Sequence, residues 1–352
     1  MTDLSAFDFQ LPEENIALRP VEPQDAARLL VVYGDGRLDD AHVRDLPRYL
    51  NKGDVLVFND TRVIPAAVKG VRPARAEVGN DVLVDINLVE RQSEHQWLAL
   101  GRPGKRLKPG DRINFSDGFS ASIAEKHADG ELLLEFSVSG AELDLAIEQH
   151  GSMPLPPYIA RRRAADRSDR ETYQTSFASD DAQSVAAPTA GLHFTPRLLS
   201  EIDVAGLHRE QVRLHVGLGT FAPLKEEQID SGTLHEEWRQ VTPPVADLLN
   251  QARRSGRRCI AVGTTALRTL ESSATPNGTI EAVSGPTDIF LQPGYAFRAT
   301  DALITNFHLP KSSLFMLVSA LMGTEIMQAA YAHAIAARYR FYSYGDACLL
   351  LP

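Results

Sequence analysis

The 352-residue chain has only two cysteines, Cys259 and Cys348. Two thiols build neither a disulfide framework nor a cysteine-rich zinc site. Long apolar runs are missing as well. The longest, Leu314 to Met322, is far short of the about 18 residues that a membrane helix needs. The opening stretch MTDLSAFDFQ carries acids and no apolar core, so no secretory leader is read there and a cytosolic protein is expected. Nucleotide fingerprints are absent. No G-x-G-x-x-G follows a strand pattern and no G-x-x-x-x-G-K-[ST] occurs, which disfavours dinucleotide redox chemistry and P-loop phosphoryl transfer. Positive charge is in deficit, 36 Lys and Arg against 46 Asp and Glu. A net charge of -10 argues against a protein that coats nucleic acid by bulk attraction.

The residues that are present describe an ordinary globular chain, 43% hydrophobic and 23% charged, long enough for two domains. From about residue 69 to 139, short runs alternate apolar and polar side chains, as in Val82 to Val89 and Glu131 to Val138, with Gly and Pro between them. That texture predicts a small antiparallel barrel or sandwich. The flanks differ. Val55-Leu-Val-Phe58 and Cys259-Ile-Ala-Val262 are short continuous apolar strands, and helical patterns follow at Pro244 to Arg254, Ala266 to Ser273 and from Ser313. Strands alternating with helices predict an α/β domain with a mixed or parallel sheet. The expected organisation is an α/β domain of residues 1–68 plus 151–352, with an inserted β-barrel domain at 69–150.

Three strand-to-helix loops hold the candidate chemistry: Ala187 to Thr195, Gly263-Thr264-Thr265, and Asn306 to Ser313. Each sets hydroxyl or small residues where a helix begins, and unpaired N–H groups there welcome an anion. Plain helix capping by Ser and Thr is the better reading of any single loop, and the signal lies in the three together. In open α/β sheets, ligands sit at the carboxyl ends of strands, so the three loops could line one crevice. Val216-Gly-Leu-Gly-Thr-Phe221 adds a glycine-rich turn. Asp60, after a strand end and next to Arg62, reads as a poised carboxylate or as a turn cap. Tyr344-Gly-Asp346 allows the same two readings. His193, His215, His235 and His308 raise a metal-dependent hydrolase as an alternative, although no H-E-x-x-H or comparable spacing is present. Arg161, Arg162, Arg163, Arg167 and Arg170 form a local basic run interleaved with acids, readable as a solvated face or as a polyanion contact.

Taken together, several stretches resemble one family. They are Phe58-Asn-Asp-Thr-Arg-Val-Ile-Pro65, Gly151-Ser-Met-Pro-Leu-Pro-Pro-Tyr-Ile159, Tyr173-Gln-Thr175, and Ser184-Val-Ala-Ala-Pro-Thr-Ala-Gly-Leu-His-Phe-Thr195. Leu214-His-Val-Gly-Leu-Gly-Thr-Phe221, Ala261-Val-Gly-Thr-Thr265, Asp301 to Ser313 and Tyr339 to Asp346 continue the series. In order, and across nearly the whole chain, they resemble the S-adenosylmethionine:tRNA ribosyltransferase-isomerases of queuosine biosynthesis.

The resemblance implies a mixed-sheet α/β domain carrying an inserted barrel. It implies a transferase that uses S-adenosylmethionine as substrate, with no metal or redox cofactor. The ribosyl part passes to 7-aminomethyl-7-deazaguanine at the tRNA wobble position and is isomerised, releasing adenine and methionine. Set against that chemistry, Asp60, His193, His215 and His308 are the candidate bases, with His308 favoured. Lys311, Thr264 and Thr265 would receive the methionine carboxylate or ribose hydroxyls, and Arg62 and Arg268 would hold anionic groups. Thr189, Gly191, Gly217, Gly219, Thr220, Gly263, Asn306, Ser312, Ser313, Tyr344 and Asp346 complete the expected substrate site. Tyr158, Arg161, Arg162, Arg163 and Tyr173 are the candidate tRNA contacts.

Overall fold

The computed structural model describes residues 4–75, 79–128, 130–180, 183–216 and 226–352. The chain divides into two compact units, residues 1–62, 175–182 and 188–352, and residues 63–174 with 183–187.

The first unit is built on a nine-stranded mixed sheet. From edge to edge its strands are Val283–Ile289, Thr233–Val241, His208–Leu214, Val55–Asn59, Cys259–Val262, Ala302–Asn306, Ala347–Leu351, Arg28–Tyr33 and Leu38–His42. Every residue of Val55–Asn59, Cys259–Val262 and Ala302–Asn306 is buried. That is why Val55 to Phe58, Cys259 to Val262 and Ala302 to Ile304 read as apolar runs: both faces of a central strand are covered. On one face, Leu56, Phe58, Ile260, Val262, Ile304 and Leu349 pack with Phe194, Leu198 and Ile202.

The orientation of the central strands decides where chemistry can gather. Val55–Asn59 is parallel to both His208–Leu214 and Cys259–Val262, and the latter is parallel to Ala302–Asn306. Four chain segments therefore leave the sheet on the same side, at Asn59, Leu214, Val262 and Asn306. Ala347–Leu351 runs antiparallel to its neighbour, with Ala347 opposite Asn306, so it enters from that same side. Asp346 is thereby brought level with the strand ends. Among the described residues no single helix is long and apolar enough to cross a membrane.

The second unit holds a closed barrel of Glu131–Phe136, Gln96–Arg102, Val82–Arg91, Ala67–Arg72, Arg112–Ser116 and Phe119–Lys126. Burial alternates along Val82–Arg91, as the period-two pattern requires. The expected boundaries, 69 and 150, are too narrow: the unit takes in residues 63–174 and 183–187. Helix Gly140–His150 ends at Gly151, where a Cβ would stand 1.9 Å from the Pro65 carbonyl oxygen. Ser152 bridges Ala67 through both backbone groups. Met153, Leu155 and Ile159 are buried after it. The proline-rich stretch is thus packed into this unit, and its apolar residues carried no periodic signal to say so.

Candidate functional site

Two of the three loops meet through a hydrogen-bonded chain. The 3-10 turn Thr189–His193 lies beside the end of Ala302–Asn306. Thr189 Oγ1 donates to Asn306 Oδ1 at 2.9 Å, and the Asn306 amide stands 3.4 Å from His193 Nε2. The middle loop reaches the same place. A Cβ built on Gly263 would lie 3.7 Å from the Ala190 Cβ and from Thr265 Oγ1. Gly263 has φ 90, the left-handed region that favours glycine, and its N–H is taken by the Ile304 carbonyl. Gly191 is constrained by packing instead, since a Cβ there would meet the Phe177 ring at 2.8 Å.

The helix starts are not equivalent. Thr195 accepts a hydrogen bond from Leu198 N–H and caps helix Pro196–Val204. Ser312 accepts one from Phe315 N–H and caps Ser313–Met322. Capping therefore accounts for Ser312. Helix Thr264–Ser272 begins at Gly263 without any side-chain cap. Thr265 Oγ1 is buried and has no partner among the described residues.

The four candidate bases occupy different environments. Asp60 is gripped by Arg213, with Nε to Oδ1 at 3.0 Å and Nη2 to Oδ2 at 2.7 Å. It also lines a cleft of about 500 Å³ beside Phe58, Phe177 and His208. His193 is buried, and desolvation lowers its ring to about 4 despite the opposing charge of Asp346 and a hydrogen bond to the Gln24 backbone. His308 is buried too, its ring lowered to about 3 by desolvation, with Nε2 3.0 Å from Thr305 Oγ1. Its backbone N–H donates to Tyr331 Oη at 2.9 Å. His215 follows the end of strand His208–Leu214. Desolvation, then Arg213, lower its pKa, and Asp60 opposes them. Its ring packs on Trp238 at 4.9 Å, and its Nε2 has no partner among the described residues.

Both fully buried histidines are held neutral, which sets a pH dependence of stability. Their folded pKa values lie below the unfolded value of about 6.5, so the unfolded chain binds more protons and acid favours it. This contribution is intact above pH 6.5 and shrinks as pH falls towards 4 and then 3. Each histidine should cost about 1.4 kcal/mol of stability per pH unit below 6.5. His308→Gln should flatten the fall in urea midpoint between pH 6 and 5 accordingly.

Several expected ligands are committed elsewhere. Arg62 pairs with Asp180 at 2.7 Å, and both side chains are exposed. Lys311 pairs with Asp8 at 2.7 Å, its backbone at φ 53, a strained value outside glycine. Tyr344 is buried and lines a small cavity with His193 and Arg340. The Asp346 carboxylate accepts from Arg28 N–H, Arg340 N–H and the Arg340 guanidinium. Arg268 is bonded to Glu237 and buried with it. Ser313 opens its helix half-buried. Gly217, Gly219 and Thr220 lie outside the described residues.

The tRNA candidates fall in the second unit and split. Tyr173 is completely buried, so no base can stack on it; it closes helix Arg167–Thr172 through its N–H to Asp169. Arg163 holds the buried Asp169 with two 2.7 Å hydrogen bonds, a structural task. Arg161 and Arg162 are exposed, and Tyr158 is half-buried. The metal-hydrolase alternative is not favoured. Among the described residues no three His, Cys, Asp or Glu side chains form a group able to hold a metal ion. His193 turns to Asn306 and His308 to Thr305 instead.

Two features escaped the sequence reading. Arg213 was unremarkable in its strand, and Glu237 sat in an acidic pair with no partner in view. Their roles depend on neighbours 153 and 31 positions away.

Comparison with known proteins places these features in a family. A family profile described as Queuosine biosynthesis protein matches residues 4–350. An S-adenosylmethionine:tRNA ribosyltransferase-isomerase of Hyphomonas neptunium is 69% identical, covering 99% of this chain and 100% of the relative. One from Maricaulis maris is 56% identical over 99% and 98%. The crystal structure of S-adenosylmethionine tRNA ribosyltransferase from Thermotoga maritima is 34% identical, with a TM-score of 0.55, covering 98% of this chain and 100% of that one.

Proposed function

The chain belongs to the queuosine biosynthesis protein family, and from that premise we propose that its strand-end loops bind S-adenosylmethionine and pass the ribosyl group to tRNA. It is an enzyme of the S-adenosylmethionine:tRNA ribosyltransferase-isomerase class. The acceptor we assign is the aminomethyl group of a 7-deazaguanine at the wobble position, and the place of action is the cytoplasm, where tRNA is available. The observation that carries the reading is the meeting of Thr189, Asn306, His193 and Gly263 at the carboxyl ends of parallel strands.

The sulfonium acidifies the ribose 5′ carbon, so a neutral base within reach can remove a proton there. Of the four candidates, His215 suits this task best. Its Nε2 has no partner among the described residues, and the neighbouring Asp60 carboxylate stabilises the imidazolium that forms. His308, lowered to about 3, is a much weaker base, and Asp60 already accepts both hydrogen bonds of Arg213. Adenine leaves with a proton, and the uncapped start of helix Thr264–Ser272 supplies N–H donors for oxygens that gain charge as the ring opens.

The direct test is incubation with S-adenosylmethionine and tRNA bearing the aminomethyl base. Adenine, methionine and a heavier nucleoside should appear together; tRNA binding without adenine release would refute the reading. Arg161 and Arg162 remain our tRNA contacts. Neutralising both to Gln should weaken tRNA binding and reduce the salt slope by about 1.4, at about 0.7 per lost phosphate contact. An unchanged slope removes them from the interface.

A further inference from the structure

Among the described residues, one edge of the Arg268 guanidinium is unused. Nη1 is bonded to Glu237. Nε and Nη2 are buried and have no partner among the described residues, in a side chain only 5% exposed. Stripping water from that edge is costly unless something takes its place. Other arginines of this chain show what the edge accepts. Arg213, Arg209 and Arg75 each present Nε and Nη2 together to one carboxylate: Asp60, Asp203 and Asp111. The parallel N–H pair matches the two oxygens of a carboxylate.

Position puts this edge at the site. Arg239 pairs with Leu214, so Glu237, two residues earlier on an antiparallel strand, lies beyond Leu214, on the carboxyl side of the parallel strands. Arg268 stands one turn into helix Thr264–Ser272, and helical side chains lean towards the N-terminus. That N-terminus has no side-chain cap. Thr265, three residues before Arg268 and on the same face, adds a further buried donor that has no partner among the described residues. Glu237 spends one nitrogen of the guanidinium and fixes its plane, leaving the fork open.

We infer that Arg268, braced by Glu237, grips the α-carboxylate of S-adenosylmethionine through Nε and Nη2 and makes that carboxylate a requirement for binding. The inference rests on the activity read above, and it divides the labour within the site. Arg268 and Thr265 hold the amino-acid half, and His215 faces the ribose. Glu237 is a positioning residue that never touches substrate.

The test compares S-adenosylmethionine with its decarboxylated analogue, the same sulfonium without the carboxylate. The analogue is read as an inhibition constant against adenine release. The wild-type enzyme should bind it about a hundredfold more weakly than S-adenosylmethionine, the worth of two charged hydrogen bonds. Arg268→Lys keeps the charge and loses the fork. It should raise the KM for S-adenosylmethionine by about tenfold or more and leave the analogue unchanged, so that the two converge. If Arg268→Lys does not fold, Glu237→Gln carries the same comparison and should also raise only the S-adenosylmethionine value. Equal weakening of both compounds, or wild-type binding that ignores the carboxylate, overturns the inference. So does a variant that changes only the KM and salt slope for tRNA, since the fork would then hold a phosphate. A wild-type enzyme that releases no adenine refutes the activity itself, whereas an active enzyme with an unchanged ratio refutes Arg268 alone.

Discussion

Replacing His215 by alanine is expected to lower kcat by about three orders of magnitude, the usual worth of a positioned general base. Both substrates should still bind, because His215 is assigned to proton removal and not to either binding contact. Single-turnover adenine release at saturating S-adenosylmethionine reads the effect directly. The pH profile gives an independent check. Burial and Arg213 hold the His215 pKa below its ordinary value of 6.5, so the ring is neutral and competent across neutral pH. In the wild type, activity should fall only as pH drops below that value, on the acid side of an unperturbed histidine. His215→Ala should lose that acid limb along with the rate. A variant that keeps near-full turnover would return the role to the other candidates. His308→Ala, which empties a buried site that carries no charge at pH 7, is expected to act mainly through stability.

Asp346→Ala should cost about 3–5 kcal/mol of folding stability, the range for breaking a buried pair. Asp346 is 2% exposed. Its oxygens accept from two backbone N–H groups, 2.8 Å to Arg340 and 3.2 Å to Arg28, as well as from the Arg340 guanidinium. Removal leaves those part-buried donors without an acceptor and a cation without its carboxylate. The same carboxylate closes the turn over Gly345, where a Cβ would sit 2.5 Å from the Arg340 carbonyl oxygen. A lowered urea midpoint with unchanged m-value is the expected signature. Stability that stays within about 1 kcal/mol of wild type while adenine release collapses would mean that Asp346 contacts substrate. The sequence allowed both readings of Tyr344-Gly-Asp346, and the saturated carboxylate is what selects the structural one.

Much of the architecture was legible in the residues. Val55 to Phe58 and Cys259 to Val262 announce central strands, because a strand covered on both faces must be apolar throughout. The alternation from Val82 to Val89 announces a barrel wall, because one face points inward and the other to water. The three hydroxyl-bearing loops were visible as strand-to-helix turns. Their chemical ranking was not. Ser312 and Thr195 cap their helices while Gly263 leaves its helix uncapped, and no local pattern separates the three.

The tRNA candidates show the opposite error. Arg161, Arg162 and Arg163 are identical in sequence terms, yet one of them is fixed by the buried Asp169 and two face solvent. Tyr173 carried the right chemistry for stacking and has no exposed surface with which to do it.

The sequence by itself determined the alternation of elements, the two-unit organisation and, through its long matching stretches, the class of reaction. These follow from periodicity and local residue order, which any stretch of chain carries within itself. Tertiary structure decided the rest: that four parallel strands end on one side, that Asp60 is held by Arg213, and that Arg268, bonded to Glu237, has one edge without a partner among the described residues. Burial and charge pairing join residues far apart along the chain, so a side chain's protonation and its spare hydrogen bonds exist only once the fold has chosen its neighbours.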